Sequence, residues 1–200
     1  MIVGYGVEGL TDAPIAEKLI RLIGRQPRPL SDSGGSGTLD QKILKWNSAS
    51  LRIPILVLRD WDERDQVECA PALVQQVLGG ALKSNQLVVR IPVRSIESWL
   101  LADEVAFKSF FGTTGLPGQP DQEPNPKHAV VAACRRSRKP AIKKAVVPSD
   151  GSGRAVGPLY VGTIIEFAAS HWDARRAEEN SPSLQRAINR LEVLNRAWTR

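Results

Sequence analysis

Acidic residues stand directly after apolar runs at three places in the 200-residue chain. Glu8 follows Ile2-Val3-Gly4-Tyr5-Gly6-Val7, Asp60 and Asp62 follow Ile53 to Leu58, and Glu97 and Asp103 come shortly after Gln86 to Val93. In an extended segment, residues two apart project to one side, so Asp60 and Asp62 can offer both carboxylates to a single cation. Such hard oxygen ligands suit Mg²⁺ or Mn²⁺, which keep several waters and complete their shell with phosphate oxygens. If Glu8 converges with the pair, the mutual repulsion itself calls for a cation. The chemistry to expect of such a site is metal-assisted phosphoryl transfer.

Other polar candidates have simpler readings. His128 and His171 have no acid or cysteine at metal-ligand spacing, and Asp12 and Asp65 stand where helix caps are needed. The Ser31 to Gly37 stretch lacks the Lys-Ser/Thr of a phosphate-binding P-loop. Cys69 and Cys134 belong to no C-x-x-C or Cys/His pattern and read as reduced thiols of a cytoplasmic protein. Of the five tryptophans, Trp61, between the two acids, is the one to test as a stacking platform; the others read as core.

The elements that must position these acids follow from periodicity. Ile2 to Val7, Ile53 to Leu58 and Gln86 to Val93 read as strands, and Pro29 to Ser33 as a weak strand or loop. Helices are expected from Thr11 to Ile23, around Leu39 to Trp46, over Gln66 to Leu78, and as one unbroken element from Ser95 to Phe111. The alternation predicts an α/β fold: a Rossmann-like parallel sheet flanked by helices, occupying residues 1 to 111, with ligands at the carboxyl ends of its strands. Residues 112 to 200 are expected to add a basic loop and a helical appendage, with helices over Val161 to His171 and Ser183 to Trp198. On one unbroken helix Glu97 and Asp103 would be turned about 600° apart, about 120° short of two full turns, and so are not expected to reach one metal together; Glu97 is the better catalytic candidate.

Composition is that of a folded globular chain: 42% hydrophobic with 24% charged residues excludes a disordered or collagenous one. No apolar run approaches the roughly 20 residues of a membrane span, and the start lacks the basic and apolar blocks of a secretory signal. The net charge of +6 is unevenly placed. Residues 1 to 103 are neutral, and Lys127, Arg135, Arg136, Arg138, Lys139, Lys143, Lys144 and Arg154 face the single acid Asp150. A polyanion is the natural partner, with Lys127, Arg135, Arg136, Lys143 and Lys144 as candidate nucleic-acid contacts.

Val7-Glu8-Gly9-Leu10-Thr11-Asp12 together with Val57-Leu58-Arg59-Asp60-Trp61-Asp62 resembles the TOPRIM signature of topoisomerases, primases and OLD-family nucleases. Ile96-Glu97-Ser98-Trp99-Leu100-Leu101-Ala102-Asp103 and Ser181-Pro182-Ser183-Leu184 resemble further motifs of small stand-alone TOPRIM-like proteins, a domain-of-unknown-function family. The ordered set spans nearly the whole chain. The resemblance implies Mg²⁺ (or Mn²⁺) on Asp60 and Asp62, Glu8 as general acid/base or metal ligand, and nucleic-acid phosphodiester hydrolysis, DNA foremost. It also implies an ATPase partner in phage defence. With only Tyr5 and Tyr160 present, hydrolysis by water is favoured over a tyrosine-linked strand passage. The alternative is a TOPRIM-like regulatory subunit that binds metal or nucleic acid without cleaving it. Haloacid-dehalogenase phosphatases and nucleotide-sugar transferases share D-x-D, but neither accounts for Val7-Glu8-Gly9.

Overall fold

Four parallel strands, β1 (Ile2–Val7), β2 (Gln26–Pro29), β3 (Ile55–Leu58) and β4 (Leu87–Arg90), form one sheet in the order β2-β1-β3-β4. The structure is a computed structural model that describes residues 1–30, 35–61, 67 and 69–198. Among the described residues three helices link the strands: α1 (Ala13–Leu22), α2 (Ser36–Ala49) and α3 (Ala70–Val77). The protein is therefore α/β, with an all-parallel sheet flanked by helices.

The strand order reverses at β1. Its successor β2 lies on one side and β3 on the other, so right-handed crossovers place α1 and α2 on opposite faces. The strand residues sort accordingly, alternating between faces. Ile55, Val57, Leu87 and Val89 pack with Leu39 and Ile43 of α2, and with Trp46 and Val74 at the margin. Val3, Tyr5, Leu56, Leu58 and Val88 take the other face, where α1 buries Ile15, Ala16, Leu19 and Ile20.

The weak strand lies at Gln26–Pro29, before the expected stretch. Two prolines are tolerated because β2 is an edge. Gln26 and Leu30 donate their N–H groups to Met1 and Tyr5 of the β1 side, while Pro27 and Pro29 alternate with them and face outward.

Two compact units divide the chain: Met1–Pro92 with Arg186–Arg200, and Val93–Gln185. The second unit contains α4 (Ile96–Ala102), α5 (Glu104–Phe111), a 3-10 turn (Pro120–Gln122), α6 (Pro126–Arg135), α7 (Pro140–Val146), α8 (Tyr160–Ser170) and α9 (Ala174–Glu178). The last helix, α10 (Pro182–Trp198), begins there and ends in the first unit.

Two expectations are corrected in this unit. The single helix from Ser95 to Phe111 is two helices, broken at Asp103, whose ψ of 69° leaves the helical region and whose carboxylate caps α5 through the Ala106 N–H. The argument that separates Glu97 from Asp103 on one unbroken helix therefore does not hold. The basic loop is helical over most of its length, as α6 and α7, each with a proline in its first turn, where the missing N–H costs nothing. Among the described residues no helix is long and apolar enough to cross a membrane.

Candidate functional site

The sheet's carboxyl edge brings Glu8 and Asp60 together. Val7 and Leu58 are register partners at the ends of β1 and β3, so the next residues leave the sheet side by side. There the Asp60 N–H donates to Glu8 Oε2 at 3.3 Å. Both residues are half-buried, and they stand where the strand order reverses, the position at which open parallel sheets bind ligands.

Two neighbours hold this edge in shape. Asp12, buried at the start of α1, does not cap it with its side chain as expected. Its Oδ2 instead accepts the Gly9 N–H at 2.9 Å and its Oδ1 accepts the Thr11 hydroxyl at 3.0 Å, closing the loop that carries Glu8. Arg59, 4% exposed, donates twice to Asp40 of α2, Nε to Oδ1 at 3.2 Å and Nη2 to Oδ2 at 3.0 Å. Its Nη1 donates to the Asp60 carbonyl at 2.7 Å and its N–H to the Arg90 carbonyl at 3.1 Å. Arg59 thus fixes the Asp60 backbone and neutralises an acid beside it. Its role was missed from sequence, although a charge ending a buried strand and an acid in the helix before it were there to be read.

Asp62, the second acid of D-x-D, lies outside the described residues, as does Asp65. Among the described residues no three His, Cys, Asp or Glu side chains gather as a metal cage. Glu8 and Asp60 still supply the right donor type, since Mg²⁺ binds through one or two carboxylates plus water and phosphate. Trp61 is half-buried next to Asp60.

Glu97 lies in the second unit, 2% exposed in the first turn of α4. Its Oε2 accepts from the Ser95 hydroxyl at 2.7 Å and its Oε1 from the Tyr160 hydroxyl at 3.0 Å, with Lys127 Nζ 3.7 Å from Oε1. Asp103, 1% exposed, takes a two-pronged bond from Arg176, both distances 2.9 Å, and the Asp173 N–H at 2.7 Å. Its hydrogen bonds to Asp103 hold the Arg176 guanidinium above its ordinary pKa.

The Ser-Pro-Ser-Leu segment opens α10. Ser181 Oγ accepts the Leu184 N–H, Asp121 accepts from Ser181, from Ser183 Oγ and from the Ser183 N–H, and Ser183 Oγ accepts the Trp99 indole N–H at 2.7 Å. The two motifs of the second unit are therefore joined to each other as a buried polar frame.

Of the five expected nucleic-acid contacts, Arg135, Arg136, Lys143 and Lys144 are exposed on α6 and α7, Arg136 donating to the Gly115 carbonyl; Lys127 serves Glu97. His128 is exposed, and His171 packs its ring on Phe110 at 4.7 Å. Both cysteines are free; Cys69 is exposed and burial pushes the Cys134 thiol up to about 12. Burial and the Glu17 carboxylate, which accepts its hydroxyl at 2.8 Å, push Tyr5 up to about 12.

A groove lined by Met1, Arg52, Pro54, Gln86, Leu194 and Trp198 opens at the amino ends of the strands. It contains no acid and lies at the edge away from Glu8 and Asp60. No protein-family model matches the chain, and neither does any curated protein or solved structure.

Proposed function

We propose that the protein is a TOPRIM-type phosphodiesterase that hydrolyses nucleic acid, DNA foremost, with Mg²⁺ or Mn²⁺ held by Asp60 and Asp62 and assisted by Glu8. The observation that carries this reading is the meeting of Glu8 and Asp60 at the carboxyl ends of β1 and β3, where the strand order reverses. That position is independent of any motif: it is where a parallel sheet binds ligands, and two carboxylates there are suited to a hard cation.

The bound cation would neutralise a phosphate oxygen and stabilise charge developing on it. A water oxygen attacks phosphorus, one P–O ester bond breaks, Glu8 takes the proton from the water, and the leaving alkoxide takes up a proton in turn. Arg59 holds the Asp60 backbone against reorganisation during this step. Both tyrosine hydroxyls donate to carboxylates, Tyr5 to Glu17 and Tyr160 to Glu97, which favours water over tyrosine as nucleophile. The exposed arginines and lysines of α6 and α7 would bind the backbone in a salt-dependent way. An ATPase partner belongs to this proposal as context from the motif resemblance.

Calorimetry with Mg²⁺ and Mn²⁺ tests the site, comparing the parent with Asp60→Ala, Asp62→Ala. Binding that disappears in the double variant is expected, with divalent-dependent cleavage of DNA lost in the same variant and in Glu8→Ala. Equal cleavage by parent and variants would overturn the assignment. Metal binding without cleavage would favour the non-catalytic regulatory reading.

A further inference from the structure

We propose that Arg90, Arg186 and Arg190 form a phosphate-binding site that grips a nucleic-acid backbone at the sheet's carboxyl edge, one strand over from Asp60. The choice of nucleic acid as the source of the phosphate rests on the function proposed above; the anion site itself rests on the arginines.

Arg90 ends β4 and is the register partner of Leu58, and its carbonyl accepts the Arg59 N–H. Alternation along the strand sends its side chain to the face of Leu58 and Val88, opposite α2. On that face α10 lies against the end of α1: Arg25 Nε donates to Asn195 Oδ1 at 2.6 Å, and Asn195 Nδ2 donates to the Ile23 carbonyl at 2.9 Å. Arg186 and Arg190 stand one turn apart on α10 and so share one side of the helix. Arg190 and Arg186 stand close enough to act on Arg90: burial first, then their charges, bring its guanidinium down to about 10. Lys83 adds a fourth cation, lowered by burial and by Arg190 and Arg90.

No carboxylate pairs with any of the three arginines among the described residues. The second unit, by contrast, pairs Arg176 with Asp103 and Lys127 with Glu97. The Arg90 Nε is a separate observation pointing the same way: it is buried and has no hydrogen-bond partner. A buried donor left unmade costs stability, and converging like charges add to that cost. Both costs vanish when an anion with several acceptor oxygens enters, and the guanidinium fork matches phosphate geometry. An arginine group that destabilises the unliganded fold is the pattern expected of a binding site.

The test is fluorescence anisotropy of a short fluorescein-labelled DNA oligonucleotide in EDTA, with thermal melting of each protein alongside. Arg186→Gln, Arg190→Gln is expected to weaken binding by roughly tenfold or more and to lower the salt slope by about 2. Arg90→Met is expected to weaken binding while melting at or above the parent temperature, because it removes an unpaired cation and keeps the apolar stem. Unchanged affinity and slope in the α10 double variant would overturn the proposal. So would a lower melting temperature for Arg90→Met, which would make Arg90 a structural residue. The α10 pair is solvent-accessible, so its result stands even if the Arg90 variant fails to fold. Because no metal is present, the two readings fail separately: oligonucleotide binding in EDTA that the α10 double variant weakens reports on the arginine site, whether or not the parent binds Mg²⁺ or cleaves.

Discussion

The carboxyl edge of the sheet and the interior of the second unit both gather acids and arginines, but they treat charge in opposite ways. In the second unit Glu97 and Asp103 are almost fully buried, and each meets a cation and further hydrogen-bond donors. At the sheet edge Glu8 and Asp60 remain half-exposed, and Arg90, Arg186 and Arg190 have no acid paired to them among the described residues. Buried charge matched within the chain is held by the fold, most completely at Asp103, whose two oxygens accept four hydrogen bonds. The three arginines, which no acid pairs among the described residues, cost the fold something instead, and on the proposal above they are retained for what they bind.

The largest effect that would break this contrast is at Asp103. Asp103→Ala removes both Arg176 bonds, the acceptor for the Asp173 N–H and the cap of α5. A buried pair broken on one side typically costs 3 to 5 kcal/mol; with Arg176 half in solvent, about 3 kcal/mol is expected here. Urea denaturation followed by far-ultraviolet circular dichroism measures it. A loss below about 1 kcal/mol would mean that Asp103 is no structural pin and returns to the list of candidate site residues.

Why Asp103 was not readable as a helix break is instructive. Apolar residues at Ile96, Leu100, Phe107 and Phe111 continue a helical period straight through it, and the partner that stabilises the break, Arg176, lies 73 positions away. Local sequence could show β1 with its correct ends, because Ile2 to Val7 is apolar and directly followed by Glu8-Gly9. It could also show that Glu8 and Asp60 sit at strand exits, which is enough to place them at one sheet edge. What it concealed were roles set by long-range partners: Arg59 with Asp40, Tyr160 with Glu97, Asp121 with Ser181 and Ser183. Prolines misled in one direction. Pro126 and Pro140 look like breakers in a basic loop, whereas they start α6 and α7. Pro27 and Pro29 argue against a strand, yet an edge strand accepts them.

Gly6, two residues before Glu8, gives the next effect in size. It faces Trp46 of α2 so closely that an added Cβ would lie 2.1 Å from the indole ring. The ring covers the strand backbone here, so a side chain at this position would have to displace it. Gly6→Ala is expected to cost about 2 kcal/mol, in the range for overpacking a core. It should also disturb the Glu8–Asp60 contact by shifting the end of β1. Denaturation midpoints and Mg²⁺ calorimetry on the same preparation separate the two consequences. A stable variant with intact metal binding would show that the strand end can move without the site, and that the edge is less tightly positioned than the register implies.

The smallest effect on stability is the most informative about the edge. Glu8→Gln keeps an oxygen that can accept the Asp60 N–H, and Asp60→Asn leaves the backbone bonds from Arg59 and to Glu8 in place. Both side chains are only half-buried, so the change in unfolding free energy is expected to stay within about 0.5 kcal/mol, the ordinary range for accessible positions. Divalent binding and cleavage, by contrast, are expected to fall to background, because a neutral amide is a poor ligand for a hard cation and cannot take a proton from water. Stability unchanged with function lost is the opposite of what Asp103→Ala should do. A large stability loss in either edge variant would place Glu8 and Asp60 with the structural acids of the second unit, and the distinction between matched and accessible charge would no longer separate fold from function.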